Sequence, residues 1–386
     1  MYFFLRKGRR FAVFAQTVTV FRSKPCKRFS LVRRRRSQKT FAEPGLLRSA
    51  ERLDAVAQSV ALHPCACASR HTHCVVLKNR EGEFVVVYRE LKTLGKDLGF
   101  PVKTLYALSN NLDKHYRSVL IPKRDKTIRK LSVPDFILKS VQRSIVINIL
   151  AYYPVSRYAC AYRYGASVQK NARPHIGKKK LLKLDIDGFF DHILYSQVKD
   201  IVFYKEKFSE PVRILLSMLC YYRDSLPQGA PSSPAITNIL MADFDETVGA
   251  FCESRSIAYT RYCDDMTFSG GFNEKEVIAF VRQELKKRGL FLKNRKTAVV
   301  PAYKRQIVTG IVVNEKMSLA REYRRKIRQE MYYIRKFGID AHLHTIGITD
   351  KEKYLHSLQG RISYVLQARP QDKEFRGYKK RIQKEI

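Results

Sequence analysis

"RYCDDMTFSG", Arg261 to Gly270, sets two aspartates side by side between short apolar stretches. Neighbouring carboxylates repel, so a folded chain keeps them cheaply in two settings: both face bulk water, or a cation sits between them. The flanking "SIAYTRYC" and "MTFSG" alternate as strands do, which makes this a β-hairpin with the acids at its turn. A solvated turn would satisfy "DD" alone more often than not. "LLKLDIDGFF", Leu181 to Phe190, changes the balance, because Asp185 ends an apolar strand and its carboxylate should point into a cleft instead of the core. If the two segments are neighbours in one sheet, Asp185, Asp264 and Asp265 converge. Three acids at hard-cation spacing fit a pair of Mg2+ ions poised for phosphoryl transfer.

The whole chain points the same way. Its 386 residues carry 74 Lys and Arg against 35 Asp and Glu, a formal charge of +39. Such an excess calls for a polyanionic partner, since neutralising phosphates releases condensed counterions. An apolar content of 45%, with 22 Tyr and 22 Phe, excludes a disordered basic tail. Most of those rings belong to cores, and some suit base stacking. The length allows two or three subdomains. No apolar run is long enough to span a bilayer. The basic, apolar start lacks a clear cleavage site, so the expectation is a cytoplasmic protein with no membrane partner. Eight cysteines without a regular framework fit reduced thiols.

Residues 1 to about 80 differ from the rest. Thirteen Lys and Arg precede the first acid, Glu43, and Arg33–Arg36 form a dense block read as a basic, disordered extension. "HPCACASRHTHC" crowds Cys65, Cys67, His71, His73 and Cys74, which invites a zinc hypothesis. The CxC spacing matches no familiar finger, and an unstructured segment is the favoured reading. From about 84 the pattern becomes globular, with two helices around Gly99–Pro101. A basic hairpin follows over "SVLIPKRDKTIRKLSVPD", turning at Arg124–Lys126, and then a helix over Phe136–Tyr153. Ser233 reads as an N-cap with Pro234 at the first helical position. Later come a helix at Glu274–Arg288, a strand at "TAVV", and a basic helix over Leu319–Phe337 with Ile327, Met331 and Ile334 on one face.

In this order the pieces resemble the reverse transcriptases, and among them the bacterial retron type. "YCDD" is similar to the YxDD box that supplies two metal ligands of that family, with Cys263 in the variable position. "LDIDGFF" resembles the motif whose first aspartate is the third. By the same likeness Phe190 takes the place of the aromatic gate against a ribonucleotide's 2′-hydroxyl. "LPQGAPSSPAITN" resembles the loop and helix that pack on the incoming nucleotide, with Gln228 and Gly229 as working positions. The glycine would let backbone approach the substrate. Arg129, with Lys123 or Lys126, would hold the triphosphate, and Lys296 of "GLFLKNRKT" would sit near the leaving group. "NARPH", containing Asn171 and His175, and "QIVTG", containing Val308, Thr309 and Gly310, resemble two elements found in retron enzymes.

The resemblance implies an α+β right-hand fold: fingers and an antiparallel-sheet palm over residues 81–310, then a helical thumb over 311–386. It implies a cognate noncoding RNA, copied from deoxynucleoside triphosphates into branched msDNA that stays bound, and an effector protein from the same locus acting against phage. RNA contacts would come from Asn171, His175, the "VTG" residues, and thumb arginines including Arg321, Arg324, Arg325, Arg328 and Arg335. A group II intron maturase shares the polymerase boxes but needs a further domain of about a hundred residues after the thumb. A non-catalytic RNA-binding protein would not need the three acids. The resemblance covers about Glu83 onward. The segment before it is expected to be dispensable, or untranslated with a start near Val75–Leu77.

Overall fold

The computed structural model describes residues 75–78, 84–122 and 128–386. The Cys- and His-rich stretch, Lys123 and Lys126 therefore lie outside the described residues. Strands are numbered throughout, and helices where they have eight residues or more. Strands β1 (Val75–Lys78) and β2 (Phe84–Val87) pair antiparallel, so strand structure is present ahead of the point the pattern indicated. Helices α1 (Leu91–Leu98) and α2 (Val102–Ser109) stand on either side of the Gly-Phe-Pro break. Strands β3 (Tyr116–Pro122) and β4 (Ile128–Pro134) form the basic hairpin, in register from Tyr116↔Pro134 to Pro122↔Ile128. Asp135 then caps α3 (Phe136–Asn148) by accepting from the Leu138 amide at 2.9 Å. This helix stops short of Tyr153. A 3-10 turn at Leu150–Tyr152 replaces its last turn, because the residue before Pro154 is pushed out of the helical region.

The palm comes next. Strand β5 (Lys180–Asp185) is followed by α4 (Glu210–Cys220), α5 (Ser232–Leu240) and α6 (Ala242–Glu253). Strands β6 (Ala258–Tyr262) and β7 (Asp265–Gly270) form the hairpin of the opening stretch, and α7 (Glu274–Lys286) and β8 (Ala298–Pro301) complete the layer. Their sheet runs β6-β7-β5-β8 and every pair is antiparallel. Leu182, Leu184, Met266 and Phe268 leave it to join one core with Leu215, Ile236, Phe244 and Val281 of the helices behind. Each side chain so buried contributes about 1.5–3 kcal/mol. Helix α5 begins at Ser232, two residues before Pro234, the expected first position. Ser233 is not its cap, since its hydroxyl donates to the Pro227 carbonyl at 2.9 Å within the preceding loop.

The remaining chain builds a second core. Short strands β9 (Ile307–Val308), β10 (Ile311–Val312) and β11 (Ser318–Leu319) make a small antiparallel sheet. Helices α8 (Arg321–Phe337), α9 (Lys351–Ala368) and α10 (Lys373–Gln383) pack beside it. Ile327, Met331 and Ile334 of α8 are buried with Leu358, Ile362 and Phe375, as their spacing requires. Val308 and Ile311 belong to this same core, so a boundary at 310/311 divides a hairpin that packs as one piece. The architecture is that of the right hand: fingers, antiparallel palm and helical thumb. Among the described residues no helix is long and apolar enough to cross a membrane.

Candidate active site at the end of the palm sheet

Strand register brings the three acids together. Asp185 is the direct partner of Asp265 across β5 and β7. Tyr262↔Asp265 is the last pair of the β6–β7 hairpin, which leaves Cys263 and Asp264 as a two-residue loop. Cys263 has φ +61°, the left-handed geometry that lets so short a loop follow the twist of its strands. Backbone bonds hold this end of the sheet on both sides. The Ile186 amide donates to the Asp264 carbonyl at 3.1 Å, and the Lys293 amide donates to the Asp185 carbonyl at 2.8 Å. Asp185 is buried, Asp264 half-buried and Asp265 exposed, so the cluster opens to solvent from one side.

Burial and the repulsion of Asp185 raise the pKa of Asp264. Asp265 is raised by burial of its surroundings and by the charges of Asp264 and Asp185. Since Asp265 itself meets solvent, the crowding of like charges is the firmer cause. Lys296 answers part of it: its Nζ lies 2.5 Å from Asp185 Oδ2, and that bond and the neighbouring acids raise its own pKa against the cost of desolvation. Among the described residues no three His, Cys, Asp or Glu side chains already enclose a common ion position. The donors nonetheless suit a hard divalent cation, being all carboxylate oxygens, crowded, and set where added positive charge relieves their repulsion.

The loop before α5 is stitched to the fingers. Ser132 of β4 donates its amide to the Gln228 carbonyl at 2.9 Å. Gly229 has φ +128°, and a Cβ there would stand 2.8 Å from the Ser132 carbonyl oxygen. The missing side chain thus makes room for the backbone of the fingers hairpin. Gln228 Nε2 donates to Asp191 at 3.4 Å, and the Leu226 amide to the Phe190 carbonyl at 3.1 Å. Phe189 is buried in the palm core, whereas Phe190 beside it is half-buried, with ring centres 5.6 Å apart. Arg129 is exposed on β4.

The RNA contacts expected of Asn171 and His175 need correction, because both side chains are buried. His175 Nδ1 bonds Ser269 Oγ at 2.7 Å and Nε2 bonds Thr260 Oγ1 at 2.8 Å, against strands β7 and β6. Asn171 Nδ2 donates to Thr309 Oγ1 at 3.3 Å. Thr309 and Gly310 both have positive φ in the tight β9–β10 turn, and Val308 is in the second core. The two retron-like elements therefore meet each other where palm and thumb cores adjoin. On α8, Arg328 makes a partly exposed forked pair with Glu374 of α10, its closest contact 2.7 Å, and Arg324 is half-buried. Arg321, Arg325 and Arg335 are exposed.

Two pairs escaped the sequence reading. Lys293 Nζ lies 2.6 Å from Asp187, the second acid of "LDID". Arg261, first residue of the quoted stretch, is fully buried against Asp245 of α6. Its Nη2 and Nε reach the two carboxylate oxygens at 2.6 and 2.8 Å, and its Nη1 donates to the Cys263 carbonyl at 3.0 Å. The alternation could have shown it, since Arg261 shares one face of β6 with the buried Tyr259.

Residues 121–323, just over half of the chain, match the family model described as reverse transcriptase (RNA-dependent DNA polymerase). Retron Ec86 reverse transcriptase from Escherichia coli is 31% identical over 253 residues, covering 64% of this chain and 79% of the relative. Retron Ec83 reverse transcriptase, also from Escherichia coli, is 33% identical over 55% of this chain and 73% of its own length. Among solved structures, telomerase from Candida albicans in complex with a TWJ fragment of telomeric RNA gives a TM-score of 0.40 at 11% identity, covering 69% of this chain and 66% of that one. So loose a likeness adds nothing to the topology above. The acids at the palm's end, the loop sewn to the fingers and these relatives lead to one conclusion: the chain belongs to the retron reverse transcriptases, RNA-directed DNA polymerases.

Proposed function

We propose that this polymerase copies part of a structured noncoding RNA from its own locus into single-stranded DNA. Synthesis would start from a guanosine 2′-hydroxyl and leave a branched RNA–DNA product, msDNA. The product would act with an effector protein of the same locus in defence against phage. The observation that carries the catalytic part is the register Asp185↔Asp265, with Asp264 at the adjoining turn. Two Mg2+ ions held there would supply an activated attacking hydroxyl and charge stabilisation for the departing pyrophosphate. Lys296, whose Nζ lies against Asp185, would follow charge that develops on the leaving side. Phe190 would serve as the sugar gate, and Gln228 and Gly229 would form the floor under the nucleotide. Arg129 and Lys123 of the fingers hairpin would hold the triphosphate.

Asp185→Asn, Asp264→Asn and Asp265→Asn, made one at a time, test the reading. Each removes a ligand yet also one of three crowded negative charges, so the metal-free protein should melt at or above the parent temperature while DNA synthesis on an RNA template is lost. Substantial residual synthesis in any of the three would end the assignment. The nucleic acid that copurifies, typed with RNase and DNase and sequenced, tests the msDNA part separately.

A further inference from the structure

Arg261 is the largest fully buried side chain of the described residues, and it stands on β6 three residues before Asp264. Burying an ion pair gains little stability over well-packed apolar residues of the same volume, so its energetics alone do not account for it. Its geometry does. The guanidinium spends one edge on Asp245 of α6, at 2.6 and 2.8 Å. Nη1 goes to the Cys263 carbonyl at 3.0 Å, and Nη2 also reaches Asn238 Oδ1 of α5 at 3.3 Å. Asp245 is held in turn by the Tyr259 hydroxyl at 2.8 Å, and Asn238 Nδ2 is fixed on the Ala161 carbonyl at 2.8 Å.

The Cys263 carbonyl belongs to the peptide that leads into Asp264. Cys263 is also the loop residue in the left-handed region, a conformation unfavourable for a residue with a side chain unless its surroundings impose it. We infer that Arg261 is a positioning residue for catalysis: by gripping the Cys263 carbonyl it locks the loop that aims Asp264, and it ties that loop to the helix behind the Gln228–Gly229 floor. The inference rests on reading Asp264 as a metal-holding acid. Lysine cannot do this work, because one ammonium lacks the planar fork that serves a carboxylate and a carbonyl together.

Arg261→Lys keeps a charge for Asp245 and is the first test. The variant should melt cooperatively and bind RNA as the parent does. Its kcat should fall by about 10–100-fold with the deoxynucleotide KM nearly unchanged, the scale of loss that a misplacement of about 1 Å brings. Without nucleotide, the rise in melting temperature on adding Mg2+ or Mn2+ should need several-fold more metal. A second variant, Arg261→Met with Asp245→Leu, removes the buried charges together and so protects against the cost of leaving one unpaired. It should show the same pattern. Asp264→Asn serves as the control: if it keeps activity and metal response, the acid assignment fails, independently of Arg261. Parent-like kcat and metal titration in either folded Arg261 variant overturns the inference. So does failure of both to fold while Asp264→Asn folds, since the network would then serve the fold alone.

Discussion

Phe189 lies in the palm core and Phe190 is half-buried against it, and two substitutions separate their roles. Phe189 is 3% exposed, so Phe189→Ala should cost about 3–5 kcal/mol in denaturant unfolding, as other large-to-small core changes do. Phe190→Ala should leave most of the stability and raise ribonucleotide incorporation, read by competition between ribo- and deoxynucleotides. The reverse pattern would exchange their roles. His175 gives a pH prediction. Burial first, and then the charge of Lys178, push its pKa down to about 3, so it is neutral in the folded protein. The unfolded chain, with an ordinary value of about 6.5, binds the extra proton below that pH. Stability from this group is complete above about pH 6.5 and is lost as pH falls towards 3. Between pH 7 and 5 the loss should be about 2 kcal/mol, and His175→Asn should remove that part of the pH dependence. The three acids were legible because like charges at a turn demand a reason. His175 and Asn171 were legible as a motif but not as to role, because no periodicity marks a polar residue that is buried by contact with a distant strand.

At the scale of elements, the sequence marked the hairpins and helices and missed what they lean on. The loop before α5 reads as a nucleotide floor, yet its glycine answers to Ser132 of the fingers, about a hundred residues earlier in the chain. Close approach of two backbones leaves no trace in alternation or composition. Ends of elements failed for a related reason: Ser233 has the chemistry of a cap, but its hydroxyl is taken by Pro227 within the loop. Gly229→Ala tests the joint. At φ +128° the substitution is strained even without its clash, and the Cβ would press on the Ser132 carbonyl. The hairpin should be pushed off the loop, lowering the melting temperature modestly and weakening nucleotide use through KM more than kcat. Parent-like KM in a folded Gly229→Ala would mean that this contact does not set the nucleotide site.

Across the whole molecule, the palm and thumb cores are separate clusters, and the buried Asn171 and His175 of "NARPH", with Thr309 of "VTG", stand where they adjoin. Net charge announced a polyanion but could not tell which arginines face it, because a helical stripe of basic residues reads the same whether a given one meets solvent or a neighbouring helix. The described residues now separate them. Arg328 is committed to Glu374, whereas Arg321, Arg325 and Arg335 are exposed on α8. If α8 grips the phosphates of a structured RNA, Arg321→Gln, Arg325→Gln and Arg335→Gln should each weaken RNA binding and leave the melting temperature alone. Each should also lower the slope of log affinity against log salt by about 0.7–0.9, the share of one phosphate contact. Arg328→Gln should behave differently. It loosens α8 from α10 and lowers thermal stability slightly, because a partly exposed pair contributes about 1 kcal/mol or less, and it leaves the salt slope near the parent value. Extension of a generic primer–template should survive in all four. An equal fall in generic extension and RNA affinity would make α8 part of the polymerase's common grip on nucleic acid, and a salt slope that drops with Arg328→Gln would show that its pair with Glu374 opens when RNA binds.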